Sequence, residues 1–154
     1  MTRGLVVNGW AIYAHPLFLQ QLDELKAEVE LLKKEDPHGY SQKNKAKRLA
    51  ATTQLAFNDI PQDPTRAEYR QGDTLGDEYK HWFRAKFYQQ YRLFFRYRED
   101  AKLIVFAWRL PYGSKTDAYK VFRKMLNDGR PPDDWDALFK EAQVISEQGH
   151  PDSL

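Results

Sequence analysis

The sequence predicts an α+β protein in which helices cover an antiparallel sheet. Three observations carry this expectation. Residues 16–39 place apolar side chains at alternating spacings of four and three, the pattern of a helix with one buried stripe. Residues 82–108 hold three consecutive runs rich in aromatic and β-branched residues, separated by short polar breaks. Helical and strand-like patterns come in blocks rather than in strict alternation, and such segregation marks helices packed on a sheet.

Each element has a local reason. The stretch "NGWAIYAH" fits a short opening strand, and Pro16 suits the first turn of the next helix, where its missing N–H would be unpaired anyway. Within "PLFLQQLDELKAEVELLKKEDPHG" the stripe is Phe18, Leu22, Leu25, Val29 and Leu32, and "EDPHG" stops the helix. Ser41 can cap a second helix, "QKNKAKRLAATTQLAFN", with Ala46, Leu49, Thr53 and Phe57 opposite a wet face of Lys43, Lys45 and Lys47. From Asp59 to Lys80 the turn signals "NDIPQDPT" and "QGDTLGDE" predict a long loop, and loops of that length often serve function or a partner.

Strands are then expected at Trp82 to Tyr88, Tyr91 to Arg98 and Lys102 to Trp108, paired antiparallel because their connections are short. Ser114 and Asp117 form a capping-box pattern ahead of a third helix with Ala118, Val121, Phe122, Met125 and Leu126, closed by Gly129. "PPDDWDALFKEAQVIS" predicts a short fourth helix docked through Trp135, Leu138 and Phe139. At 154 residues the chain suits one domain over 1–147, with 148–154 as a flexible C-terminal tail.

Composition narrows the chemistry. Cysteine is absent, which excludes disulfides, thiolate metal sites and cysteine nucleophiles. The opening residues lack the apolar run of a signal peptide and no stretch is long and apolar enough for a membrane span, so a cytoplasmic protein without membrane contact is expected. Charge is unevenly placed. Residues 82–130 hold twelve of the 24 Lys+Arg but four of the 22 Asp+Glu, a net +8 within a chain of net +2. An anionic partner would meet this half of the chain.

The basic residues cluster on one hairpin. In "WFRAKFYQQYRLFFRYRED" the odd positions Phe83, Ala85, Phe87, Tyr91, Leu93, Phe95 and Tyr97 are apolar, whereas Arg84, Lys86, Arg92, Arg96 and Arg98 are even. Matching apolar faces requires a three-residue loop, such as that left by pairing 88 with 92. A two-residue turn would set Lys86 opposite Leu93. Arg84, Lys86, Arg92 and Arg96 then share one face, with no acid on these two strands. Like charges across a sheet are costly, and planar guanidiniums suit phosphate. The alternative is that carboxylates of the loop or of an acidic partner pair with them. Trp82, Tyr88 and His81 lie beside this face, where each can stack, shuttle a proton, or simply end a strand.

Other chemistries lack their motifs. His15, His38, His81 and His150 are scattered, "DDWD" reads as a helix start, and there is neither a Gly-x-Ser-x-Gly elbow nor a Gly-rich phosphate loop. No cofactor or metal is implied. Cationic catalysis on RNA remains, because RNA carries its own nucleophile, the 2′-hydroxyl.

Several stretches look familiar. "YRLFFRY" followed by a strand, a basic loop and "KTDAYKVFRKML" resembles the RelE superfamily of toxin ribonucleases. "VNGWAIYAHPLF", "RQGDTLG" and "KTDAYKVFRKMLNDGRPPDDW" are similar to the YhaV toxins of PrlF–YhaV toxin–antitoxin pairs, from about Val7 to Trp135. The resemblance implies a RelE-like microbial RNase fold and an endoribonuclease that cuts messenger RNA, in RelE relatives on the ribosome, so inhibiting translation. It also implies a cognate PrlF-type antitoxin, with operator DNA bound only through the antitoxin complex. By position it assigns Arg84 and Lys86 to phosphate binding and Arg92 to the scissile phosphate. Lys115 matches the basic residue after the last strand loosely in spacing, with Arg109 as its rival. Tyr119 matches the late tyrosine on which relatives stack a base, although as a residue of this sequence it equally faces the sheet from its helix. Arg96, Arg109, Tyr88 and Trp82 are the further candidates for contact with RNA. A binding module that grips RNA, DNA or an acidic protein without catalysis is the alternative, and a structural subunit with its arginines buried against a partner is a third.

Overall fold

The computed structural model describes residues 4–88, 90–111 and 117–145. Strand β1 (Val6–Val7) folds back on β2 (Trp10–Ala14) through Asn8 and Gly9, whose φ angles of 51° and 84° give the tight turn that an Asn-Gly pair favours. Helix α1 (Pro16–Glu35) starts where expected. His15 is its N-cap, with Nδ1 accepting the Leu17 N–H at 3.2 Å, and Phe18, Leu22, Leu25 and Val29 are buried along the stripe.

Helix α2 (Asn44–Gln54) follows a 3₁₀ turn that absorbs Ser41, so Lys43 rather than Ser41 stands at its N-cap. The helical path then continues beyond the expected boundary at Asp59, through a π turn (Leu55–Asp59) into the single turn α3 (Ile60–Gln62). Burial of Leu55, Ala56, Phe57 and Ile60 explains the extension. The widened turn lets the Ile60 N–H reach the Leu55 carbonyl just before Pro61, which has no N–H to offer.

Strands β3 (Phe83–Phe87), β4 (Tyr91–Arg98) and β5 (Leu103–Pro111) form the expected antiparallel meander. The β3–β4 loop has three residues, as apolar matching required. Its register is Phe87↔Tyr91 and Ala85↔Leu93, slid by two positions from a pairing of 88 with 92, so that the loop is 88–90 rather than 89–91. Tyr88 turns left-handed at φ 49° and leaves the strand, which lets Phe87 stack on Tyr91 with ring centroids 5.2 Å apart.

The sheet as a whole is mixed, not antiparallel. Its order is β1-β2-β5-β4-β3, and β2 runs parallel to β5 from Ala11↔Leu103 to Ala14↔Phe106. Two helices and the hairpin intervene between these strands, and a long crossover permits parallel entry where a short connection would not.

Helix α4 (Ala118–Asn127) is capped by Asp117, whose carboxylate accepts the N–H groups of Tyr119 and Lys120. Asp117 thus takes the capping place expected of Ser114, which lies outside the described residues. Gly129, at φ 79°, ends the helix: its N–H reaches Leu126 O and the Arg130 N–H reaches Met125 O. Helix α5 (Trp135–Glu141) is shorter than expected, because Gln143–Val144 form β6 beside β2. The tail at 148–154 lies outside the described residues.

Both faces of the sheet are covered. Ile12, Leu93, Phe95, Ile104 and Phe106 pack with α1 and α2, and Trp82, Phe94, Val105 and Ala107 pack with Phe122 of α4 and Leu138 of α5. This explains why β5 is apolar on both sides.

Candidate active site

Even-numbered residues of β3 and β4 face α4 and α5. Register sets Lys86 directly across from Arg92, with Arg84 two residues along the same face. Tyr119, in the first turn of α4, meets this row. Its hydroxyl oxygen accepts the Nε–H of Arg84 at 2.9 Å and that of Arg92 at 3.0 Å. Arg92 is 6% exposed and Tyr119 8%, while Lys86 is exposed. The Arg84 Nη1 also donates to the Glu68 carbonyl at 2.6 Å, and the Arg92 Nη1 to the Tyr91 carbonyl at 3.1 Å.

Packing fixes the tyrosine. Its ring meets the edge of Phe94 at 5.9 Å, and Phe94 stacks on Phe122 with centroids 4.1 Å apart. The Asp117 cap holds the first turn of α4 at the same place. Two guanidiniums are therefore oriented by one phenol oxygen on a rigid support, the arrangement that electrostatic catalysis requires of its donors. The loop does not neutralise Arg84 with a carboxylate: Glu68 offers its carbonyl, and its side chain turns to Arg66 at 3.7 Å.

A cleft of about 520 Å³ opens beside this cluster. Arg84 and Lys86 form one wall, and Arg66, Glu68 and Arg70 the other. Arg66 and Arg70 are not among the candidates that the sequence suggests. A signal for them exists in "RAEYR", where Tyr69 is buried edge-on against Phe95 at 5.5 Å and Arg70 bridges to Phe83, tethering the loop to the edge of β3.

The other candidates lie elsewhere. Arg96 shares the face, but its guanidinium sits between the rings of Trp82 (5.5 Å) and Trp135 (5.2 Å), and its Nη1 donates to the Asp133 carbonyl at 2.6 Å. Burial lowers its pKa, partly offset by Asp133 and Asp134. Arg96 thus fastens the lead-in to α5. Trp82 is a core residue at 0% exposure, its Nε1–H donating to Asp133 Oδ1 at 2.8 Å, so a base can stack on it only if the core opens. His81 bonds the same carboxylate oxygen at 2.6 Å.

Arg109 pairs with Leu93 and so projects to the opposite face, 5.7 Å from the ring of Tyr91. It does not join Arg84 and Arg92. Tyr88 is 54% exposed at the hairpin tip, and Arg98 pairs with Asp100 at 2.8 Å. Lys115 lies outside the described residues. Among the described residues no group of three or more His, Cys, Asp or Glu is placed to hold a metal ion, and no helix is long and apolar enough to cross a membrane.

A family model for a toxin with endonuclease activity, of a toxin–antitoxin system, matches residues 12–143 and so spans the whole Arg84–Arg92–Tyr119 cluster. The chain belongs to the YhaV toxin family. Among the relatives of this YhaV-type toxin, the ribonuclease toxin YhaV of Escherichia coli (strain K12) is 46% identical over 145 residues, covering 89% of this chain and 94% of that protein. The toxin YhaV of Escherichia coli O157:H7 matches to the same extent. No solved structure matches the chain. The sheet, the basic face and the cleft thus belong to an endonuclease toxin of a toxin–antitoxin system.

Proposed function

We propose that this YhaV-type toxin cuts RNA without a metal ion, at the Arg84–Arg92–Tyr119 cluster. The observation that carries the reading is the shared Tyr119 hydroxyl, which orients both guanidiniums on the face left without strand carboxylates. The 2′-hydroxyl of the substrate attacks the adjacent phosphorus. An O2′–P bond forms, the P–O5′ bond breaks, and the proton lost by O2′ is balanced by one delivered to O5′. The products are a 2′,3′-cyclic phosphate and a 5′-hydroxyl.

Arg92 is the principal donor to the phosphorane, since its guanidinium is buried and fixed before substrate arrives. Preorganised donors in a site shielded from water stabilise developing charge without reorganising. Arg84 and Lys86 bind the non-bridging oxygens from the cleft wall, and Lys115, just ahead of the Asp117 cap in sequence, supplies the further cation that the RelE resemblance implies. Tyr119 acts as a positioning residue: with its ring against Phe94 and its hydroxyl between two arginines, it sets geometry rather than stacking a base.

The name of the K12 relative, a ribonuclease toxin, supports RNA as the substrate. Membership of a toxin–antitoxin family implies an antitoxin, here a PrlF-type partner through which operator DNA is bound. Messenger RNA on the ribosome is the physiological target, and its loss arrests translation and growth in the cytoplasm. End-group analysis of RNA incubated in EDTA, with and without ribosomes, tests the reading. Cyclic phosphate and 5′-hydroxyl ends are expected. Cleavage that needs magnesium, or 5′-phosphate ends, would overturn it.

A further inference from the structure

The opposite face of the sheet carries cations that the cleavage chemistry does not use. Arg48 of α2 and Arg109 of β5 both approach the ring of Tyr91, at 5.6 Å and 5.7 Å, and the Arg48 Nη1 donates to the Tyr91 hydroxyl at 2.8 Å. The Arg48 Nε is buried and, among the described residues, has no hydrogen-bond partner. Neither guanidinium forms a salt bridge among the described residues; Glu28, which faces them, is taken by Lys45 at 3.5 Å. Burial, and then the neighbouring charge of Arg48, push the Arg109 pKa down, with Tyr91 and Glu28 pulling back. Two like charges held together in this way stabilise a bound anion.

Arg48 also lines a groove of about 430 Å³ between α2 and the hairpin tip, with Asn44, Lys47, Tyr88, Gln90 and Tyr91. Tyr88 holds a left-handed φ of 49°, uncommon for a bulky residue, with more than half of the residue exposed and its hydroxyl donating to the Lys47 carbonyl at 3.2 Å. Cations, two side-chain amides and an exposed aromatic ring match the parts of a nucleotide: phosphate, base edge and base face. An acidic peptide would use the cations alone.

We propose that this groove is a second RNA subsite, which takes a single-stranded nucleotide away from the scissile step, its phosphate on Arg48 and Lys47 and its base on Tyr88. Arg109, behind Arg48, adds positive potential. The β3–β4 hairpin carries Lys86 and Arg92 on one face and ends in Tyr88 at this groove, so one strand of RNA crossing the tip meets both sites. The inference rests on RNA being the substrate.

The test is binding of a fully 2′-O-methylated RNA dodecamer and of the corresponding trinucleotide, over a salt series. Such RNA lacks the attacking hydroxyl, so binding is read separately from cleavage, and a wrong cleavage mechanism would leave this result intact. Lys47→Gln with Tyr88→Ala alters only exposed side chains; Arg48→Gln removes the half-buried charge. The exposed pair is expected to cut the affinity advantage of the dodecamer over the trinucleotide about tenfold. The slope of log Kd against log salt should fall by about 0.7, because Lys47 no longer neutralises a phosphate. Unchanged affinity and slope in both variants would overturn the subsite. Unchanged RNA binding with weakened inhibition by the antitoxin would also overturn it and assign the groove to an acidic protein.

Discussion

Replacing Tyr119 by Phe removes one oxygen and leaves the ring. That oxygen accepts two guanidinium N–H bonds, from Arg84 at 2.9 Å and Arg92 at 3.0 Å. Arg84 is half-exposed and can bond water instead, whereas Arg92 is 6% exposed and loses this acceptor inside the protein. Removing a hydrogen bond to a buried charged group costs about 1.5–3 kcal/mol. In a chain of this size each kcal/mol lowers Tm by about 2–4 °C. The effect on cleavage should be larger than the effect on folding. Guanidiniums no longer tied to one point drift by about 1 Å, a misplacement that costs about a hundredfold in kcat, with KM little changed. Steady-state cleavage of a defined RNA, measured well below Tm and checked by circular dichroism, gives both constants. Positioning and base stacking predict different patterns for a pair of variants: phenylalanine stacks as well as tyrosine, so a stacking role spares Tyr119→Phe and harms only Tyr119→Ala, whereas a positioning role harms both, because both lack the hydroxyl. A Tyr119→Phe enzyme with kcat within about twofold of the parent would refute the positioning role assigned to the hydroxyl.

Three further outcomes follow from other contacts. Arg92→Lys keeps the charge but not the fork that reaches both Tyr119 and the Tyr91 carbonyl, so kcat/KM should fall at least about tenfold; a full rate would show that charge alone suffices. Phe122→Ala empties a site stacked on Phe94 and edge-on to Trp82, and should cost about 3–5 kcal/mol in urea denaturation; a change below about 1 kcal/mol would mean that the second core collapses to fill it. The Asp100 carboxyl is held below its ordinary value of 3.8, chiefly by its hydrogen bond from Arg98. A depressed pKa makes the unfolded chain the better proton acceptor between the two values, so this stabilisation is present above 3.8 and is lost as pH falls through the folded pKa. The Tm difference between the parent and Asp100→Asn should therefore exist at neutral pH and vanish in strong acid. A difference that survives acidification would assign it to another cause.

Local chemistry is legible in the sequence where one element decides it. The α1 stripe, Pro16, Gly129 and the odd–even alternation of the hairpin all act within a few residues, and each predicts what the fold contains. Parity alone brings Arg84, Lys86 and Arg92 to one face. Contacts set at longer range are not legible. The parallel entry of β2 depends on what α1 and α2 cover, the continuation through Ile60 depends on burial against the sheet, and Arg96 is claimed by Trp135 and Asp133 from a segment 37 residues away. The side of the sheet that Arg109 takes is hidden for a similar reason, because a shift in register between Phe94 and Phe95 sets its partner to Leu93. The Asn8-Gly9 pair inside "VVNGWAIY" is a local signal that the single opening strand expected over "NGWAIYAH" passes over: the structure makes a hairpin turn there, between β1 and β2.

The parallel pairing of β2 with β5 also orders events in time. Residues 11–14 wait for residues 103–106 before the sheet has its central pair, and Arg84 waits for Tyr119, 35 positions downstream. Synthesis is vectorial, at about 5–20 residues per second, and contacts between distant segments form late. A nascent chain thus has its α1 stripe and even its basic hairpin before it has the phenol that aligns the arginines. On the proposed mechanism the arginines gain their alignment only once α4 has been made, and a chain truncated ahead of α4 would carry the basic hairpin without the hydroxyl that orients it.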